Sequence, residues 1–164
     1  MNILITGGCG FIGHNLLNKL KKQANKIIII DNESLGKKKN INDLLSKNIK
    51  FYKIDICNFN NLKKIFNNNS IDCVIHLAAH TRVLESIKQP KKTFKNNIIG
   101  TFNLLEISRE YKIKRFINAS TGGAIMGEKK PPITENMIPN PISIYGGSKY
   151  TSEILCNVYK ASYN

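Results

Sequence analysis

No stretch of this 164-residue sequence approaches the apolar run of about 20 residues that a bilayer-crossing helix needs; the longest clean one is Ile27–Ile30. The first residues, Met1-Asn2-Ile3-Leu4, offer neither a positively charged region nor a cleavage site, so no secretory signal is expected and the default compartment is the cytoplasm. Cysteine is sparse, at positions 9, 57, 73 and 156, and no two lie at metal-ligand spacing, so no metal centre is expected. In a cytoplasmic chain these read as reduced thiols, three of them filling core and Cys9 serving as a small spacer between glycines. Acidic residues are scarce, 11 against 25 lysines plus arginines, for a formal charge of +14. Arginine is scarce as well, at Arg82, Arg109 and Arg115 alone. The positive excess is therefore lysine, travelling with asparagine and isoleucine as in Lys37-Lys38-Lys39 and Asn67-Asn68-Asn69. A polynucleotide reader would interleave arginines with stacking aromatics. The pattern reads instead as a solvated lysine surface, with neither a nucleic-acid nor a membrane partner expected.

Short apolar strands alternate with amphipathic stretches, the pattern of a parallel sheet flanked by helices. Strands are expected at Asn2–Thr6, Lys26–Ile30, Lys50–Ile54, Asp72–His76 and Lys114–Asn118. A helix should follow the first strand to about Lys22, with others over Asn40–Ser46, Asn60–Asn67, Thr93–Tyr111 and from Ile144 to the C-terminus. Residues 127–143, with Pro131, Pro132, Pro139 and Pro141, read as an irregular loop. Right-handed crossovers then give strand order 3-2-1-4-5, a doubly wound, Rossmann-like α/β sheet.

Between the first strand and the first helix lies Thr6-Gly7-Gly8-Cys9-Gly10-Phe11-Ile12-Gly13. Glycines suit this place because the turn is tight and the backbone must approach a pyrophosphate closely, while the helix start supplies free N–H groups and a positive dipole end. Gly7, Gly10, Phe11, Ile12 and Gly13 are thus candidate cofactor-binding residues, with Gly13 also letting helix pack on strand. The Gly-x-Gly-x-x-Gly spacing alone is a weak signal; an acid at the end of the next strand strengthens it. That acid is Asp31. Its carboxylate can accept hydrogen bonds from adenosine ribose hydroxyls and would repel a 2′-phosphate, which predicts NAD over NADP. The nearby lysines at 37–39 are the counter-signal, since basic groups could tolerate the phosphate.

At this point the sequence resembles the extended short-chain dehydrogenase/reductase family, the NAD-dependent epimerases and dehydratases, and is most similar to nucleotide-sugar 4-epimerases of the UDP-glucose type. The glycine loop resembles the family's opening motif, and Asp31-Asn32-Glu33-Ser34-Leu35-Gly36 the segment that wraps adenosine, implicating Asn32, Ser34 and Gly36. Asp55-Ile56 matches the position contacting adenine, and His76-Leu77-Ala78-Ala79 the strand-end motif that runs beside the cofactor. His76 itself reads as structural. Asn97 matches an asparagine supporting the active-site region, and Ser120-Thr121 with Tyr145-Gly-Gly-Ser-Lys149 match the catalytic elements. The resemblance implies a homodimer through the helices near 93–111 and 145–160. It also implies that the family fold continues past Asn164 into a C-terminal part that grips the nucleotide sugar, so that residues 1–164 are an incomplete NAD-binding domain.

The implied reaction removes the proton of a sugar 4-hydroxyl and moves hydride from C4 to NAD. Tyr145 is the candidate base, and Lys149, four residues on, projects from the same helix face. A lysine ammonium beside a phenol favours the phenolate, and it could also hydrogen-bond the nicotinamide ribose. Thr121 would hold the substrate hydroxyl and help pass the proton, with Ser120 as the alternative. Dehydratases of the family carry an Asp-Glu pair directly after this threonine; here Gly122-Gly123 stand there, which leaves reversible oxidation at C4, hence epimerisation, as the simplest chemistry. Met126 departs from the family pattern, where tyrosine is usual before the glycine.

Overall fold

Ile27-Ile28-Ile29-Ile30 has no polar alternation, as befits a strand covered on both faces. In the structure, a computed structural model describing residues 1–163, this strand is the middle one of three on one side of a five-stranded sheet. The strands are β1 (Asn2–Thr6), β2 (Lys26–Asp31), β3 (Ile49–Lys53), β4 (Cys73–His76) and β5 (Arg115–Asn118), in spatial order β3-β2-β1-β4-β5. Pairing is parallel, with Leu4 opposite both Ile28 and Val74. The expected order and Rossmann-like architecture are thus observed.

The period-2 pleat divides the isoleucines between two cores. Ile3, Ile5, Ile27 and Ile29 pack with Leu17, Ile41 and Ile49 on one face. Leu4, Ile28, Ile30 and Val74 pack with Leu62, Ile65, Phe66, Leu104 and Ile107 on the other. Helix α1 (Phe11–Leu20) supplies Leu17, and α2 (Phe59–Asn67), capped by the Asn58 side chain accepting from the Asn61 N–H at 3.1 Å, supplies Leu62, Ile65 and Phe66. The short helix expected at Asn40–Ser46 is a 3-10 segment at Lys38–Leu44, two residues earlier. Helix α1 stops two residues short of the expected Lys22, and β3 begins one residue early, at Ile49.

The chain groups into two compact units. One comprises Met1–Ala78 with Asn103–Ile117; the other comprises Ala79–Phe102 and the described chain from Asn118. The second unit is helical: α3 (Val83–Lys88), α4 (Pro90–Phe94), a π-helical turn (Lys95–Ile99), the start of α5 (Gly100–Glu110), whose residues from Asn103 belong to the first unit, α6 (Gly122–Met126) and α7 (Ile144–Tyr163). The helix expected from Thr93 starts earlier because Pro90 occupies its first turn, where a missing N–H costs nothing. Helices α3 and α6 were not expected, being six and five residues long. Helix α7 starts where expected because Ser143 caps it, its hydroxyl accepting the Gly146 N–H at 3.0 Å. Among the described residues no helix is long and apolar enough to cross a membrane.

Of the three cysteines expected to fill core, only Cys73 is buried; Cys57 and Cys156 are half-buried, Cys57 in the turn before α2 and Cys156 along α7.

Candidate functional site

The first unit builds a cradle at the C-terminal ends of β1, β2 and β4. Gly7 has φ +71°, and a Cβ there would lie 2.6 Å from the Ala78 backbone nitrogen, so the loop passes against the strand-end residues Leu77 and Ala78 at a distance no side chain permits. The Thr6 hydroxyl ties this approach, accepting the Ala78 N–H at 3.3 Å and meeting His76 Nδ1 at 2.7 Å. His76 is buried. Gly36 makes the second close approach: its Cβ would fall 2.4 Å from the carbonyl carbon of Cys9, which lays the segment after Asp31 against the glycine loop.

Asp31 joins the two segments. Its Oδ2 accepts the Cys9 N–H at 3.1 Å and its Oδ1 the Glu33 N–H at 2.8 Å. Burial raises its carboxyl above the ordinary range, against those two amides, which favour the ionised form. Asp31 therefore shapes the loop as well as presenting its remaining lone pairs, a role that sequence alone did not show. Cys9 is fully buried, and burial, with the Asp31 and Glu33 charges, pushes its thiol up to about 12. It is an inert spacer, as expected.

Helix α1 begins uncapped. Gly10 has no side chain to cap it, no acid lies in the first turn, and Phe11 and Ile12 are exposed. Free N–H groups behind a glycine turn fit a pyrophosphate. Along the adjoining edge, Asn32 Nδ2 donates to Asp55 Oδ2 at 3.2 Å, Ser34 N–H to Asn32 Oδ1 at 3.0 Å, and Ile56 is buried with its carbonyl accepting from Asn103 at 3.0 Å. The residues of this unit thus fit a dinucleotide's adenosine and phosphates: a glycine cradle, an open helix start and a buried carboxylate in succession.

The second unit holds the other candidates. Tyr145 and Lys149 lie on α7 one turn apart. The backbone of Tyr145 is gripped at both ends: its N–H donates to Ser86 Oγ at 3.1 Å, and its carbonyl accepts from Ser148 Oγ at 2.7 Å. Ser148 Oγ in turn accepts from Asn97 Nδ2 at 2.9 Å. Asn97, buried in the π-helical turn, also bonds both backbone groups of His80, at 2.7 Å and 3.1 Å. Its amide thus ties the π-helical turn to the His80 backbone and to Ser148 of α7. His80 closes the network through Thr93 at 2.8 Å and Glu85 at 3.2 Å.

Lys149 is only 4% exposed, yet its ammonium makes no hydrogen bond or ion pair with any described residue. Burial lowers its pKa below the ordinary lysine value, against the favourable charges of Cys156 and Glu153. Thr121 is half-buried and its hydroxyl is not consumed in capping α6; Ser120 is exposed. Both line a cavity of about 440 Å³ with Gly122, Glu135, Met137 and Glu153. Tyr145 and Lys149 are not in its wall; their helix contributes Glu153. Sequence reasoning missed Ser86, His80, Glu135 and Glu153. Only Glu153 had a signal, continuing the four-residue spacing of Tyr145 and Lys149.

Residues 4–164 match the family described as GDP-mannose 4,6 dehydratase. The chain belongs to this family. A putative UDP-glucose 4-epimerase of Methanocaldococcus jannaschii is 39% identical over 162 residues, covering 98% of this chain and 52% of its own. The UDP-glucose 4-epimerase of Thermotoga maritima, solved with UDP-glucose, superposes with a TM-score of 0.93 at 42% identity, over 99% of this chain and 52% of that one. That of Thermus thermophilus, solved with NAD, gives 0.92 at 34% identity, over 99% and 52%. The chain thus spans about half the length of these relatives. The resemblance read from the sequence holds at family level.

Proposed function

We propose that this chain is the NAD-binding domain of a nucleotide-sugar 4-epimerase acting on a UDP-sugar. The observation that carries the reading is Lys149, a residue only 4% exposed, one turn from Tyr145 on α7, whose ammonium bonds no described residue. A lysine desolvated along most of its length, with its ammonium left unbonded, is suited to a ligand that supplies acceptors. Hydroxyls of the nicotinamide ribose are suited to accept from it.

In this reading the first unit binds adenosine and pyrophosphate. Asp31 accepts from the adenosine ribose, and the N–H groups of Phe11 and Ile12 meet the phosphates, with Gly7, Gly10 and Gly13 allowing the approach. Asn32, Ser34, Gly36, Asp55, Ile56, Leu77, Ala78 and Ala79 border the cofactor. In the second unit Tyr145 Oη takes the proton of the sugar 4-hydroxyl and returns it. Lys149 favours the phenolate by its charge, Thr121 orients the hydroxyl, and Asn97 holds the turn that carries Tyr145. NAD, when bound, supplies the acceptor and donor of hydride. The reading is supported by relatives whose names and bound molecules are UDP-glucose 4-epimerase, UDP-glucose and NAD. The test is interconversion of UDP-glucose and UDP-galactose, with Tyr145→Phe as the control; steady turnover lost in that variant supports the reading. Saturable NAD binding with no turnover of any UDP-sugar would leave a non-catalytic NAD-binding module.

A second reading, dehydration, is favoured by one observation: Glu135 and Glu153 line the cavity that Thr121 borders. Eliminating water needs an acid and a base near the sugar, and two carboxylates could supply them although Gly122-Gly123 do not. A product lighter by one water in mass spectrometry distinguishes it from epimerisation. Homodimer formation through α5 and α7 belongs to the same proposal, supported by exposed Phe102, Ile154 and Val158 on those helices.

A further inference from the structure

The first unit carries an acid to which the cofactor reading assigns no role. Glu33 sits two residues past Asp31 with φ 59°, a left-handed conformation that a glutamate seldom adopts. Four interactions hold it there. Its N–H donates to Asp31 Oδ1 at 2.8 Å, and its Oε1 accepts the Lys38 N–H at 2.9 Å. Its Oε2 pairs with the Lys53 ammonium at 3.0 Å, and its carbonyl accepts from the Lys37 ammonium. The Lys38 amide, and after it Lys53, holds the Glu33 carboxyl below its usual range.

These partners are the basic groups that complicate cofactor choice. A 2′-phosphate beside Asp31 would meet repulsion unless a cation came to it, and among the lysines of this loop and the neighbouring strand, at 37–39, 50 and 53, it is Lys37, Lys38 and Lys53 that contact Glu33. Glu33 engages Lys37 and Lys53, while the Lys38 ammonium lies over the Phe51 ring, 5.7 Å from its centroid. We propose that Glu33 determines cofactor specificity: its carboxylate occupies Lys53, which would otherwise receive a 2′-phosphate, and places a second negative charge beside Asp31. Its strained backbone is held by the bonds to Lys37, Lys38 and Lys53. The inference rests on the reading of this unit as a dinucleotide site.

The test is calorimetric titration of the 164-residue chain with NAD and with NADP. Glu33→Gln keeps an acceptor for the Lys38 amide while removing the charge. It should raise NADP affinity about 5- to 10-fold at low salt, as loss of one like charge at short range predicts, and change NAD affinity less than about twofold. The gain should shrink in high salt, and Lys53→Met in the same chain should reverse at least half of it. Lys53→Met alone, at an exposed lysine that leaves the loop's other bonds intact, should lower NADP affinity below wild type. An NADP-to-NAD ratio unmoved by both variants, or equal loss of the two cofactors, overturns the proposal while leaving the NAD site standing. A folded wild-type chain that binds neither dinucleotide overturns the site itself, and this inference with it.

Discussion

Lys149 carries the clearest tension between stability and function. Its pKa in the folded chain lies below the ordinary 10.5, so between those two values the unfolded chain binds more protons. Stability of the ligand-free chain should therefore rise with pH across that window. Lys149→Met, which removes the buried charge and keeps most of the volume, should flatten this rise. It should also add about 1 kcal/mol at neutral pH, seen as a melting temperature several degrees higher. The same variant should bind NAD more weakly. A Lys149→Met chain that melts lower than wild type, with no change in pH dependence, would remove the argument that this ammonium awaits a ligand.

Tyr145 offers a contrasting case. The role proposed for it was read from spacing and motif, but its support was not visible there. Ser86, which accepts its N–H, lies in a six-residue helix with no periodic signal of its own. Ser86→Ala would leave a part-buried N–H unpaired, at a cost of about 1–3 kcal/mol. Because Ser86 belongs to the second unit, the variant should lose turnover while NAD still binds; Ser86→Thr, which keeps the hydroxyl, should restore much of it. Differential scanning fluorimetry with an epimerase assay would separate the two effects.

At the scale of elements, those formed by strong local patterns were the legible ones. The isoleucine run of β2, the glycine loop and α7 fall where the sequence places them, within a residue or so. The elements missed are short ones held by tertiary bonds. Helix α6 begins with Gly122 and Gly123, poor helix formers that no single-sequence rule would start a helix with. A Cβ at either glycine would meet nothing, so the acids that dehydratases carry here are absent for no steric reason. Gly123→Ala should then stabilise the chain by about 0.5–1 kcal/mol, measured by urea unfolding. The π-helical turn was equally invisible, because it depends on Asn97 bonding to His80 and Ser148 across distances that periodicity does not encode.

At the scale of the molecule, two cores on opposite faces of one sheet follow from the alternation of isoleucines, and this was readable in advance. The dimer was read only through resemblance. Phe102 is exposed at 41% and Val158 at 52%, while Phe102 also meets Tyr159 edge-on at 6.4 Å. If α5 and α7 pair two copies, Val158→Glu should yield monomers in light scattering without loss of helix content. A wild-type chain monomeric at high concentration would contradict that pairing. The lysine-rich surface, by contrast, is a matter of composition and bears on solubility more than on the fold.

The central claim, that this chain is built around NAD, is tested most directly by calorimetric titration of the folded chain with NAD, with Gly7→Val as the control. The account predicts saturable one-to-one binding in wild type. It predicts none in the variant, whose side chain would collide with the backbone of Leu77 and Ala78. A well-folded wild-type chain that gives no heat with NAD and no rise in melting temperature at millimolar concentration would contradict it.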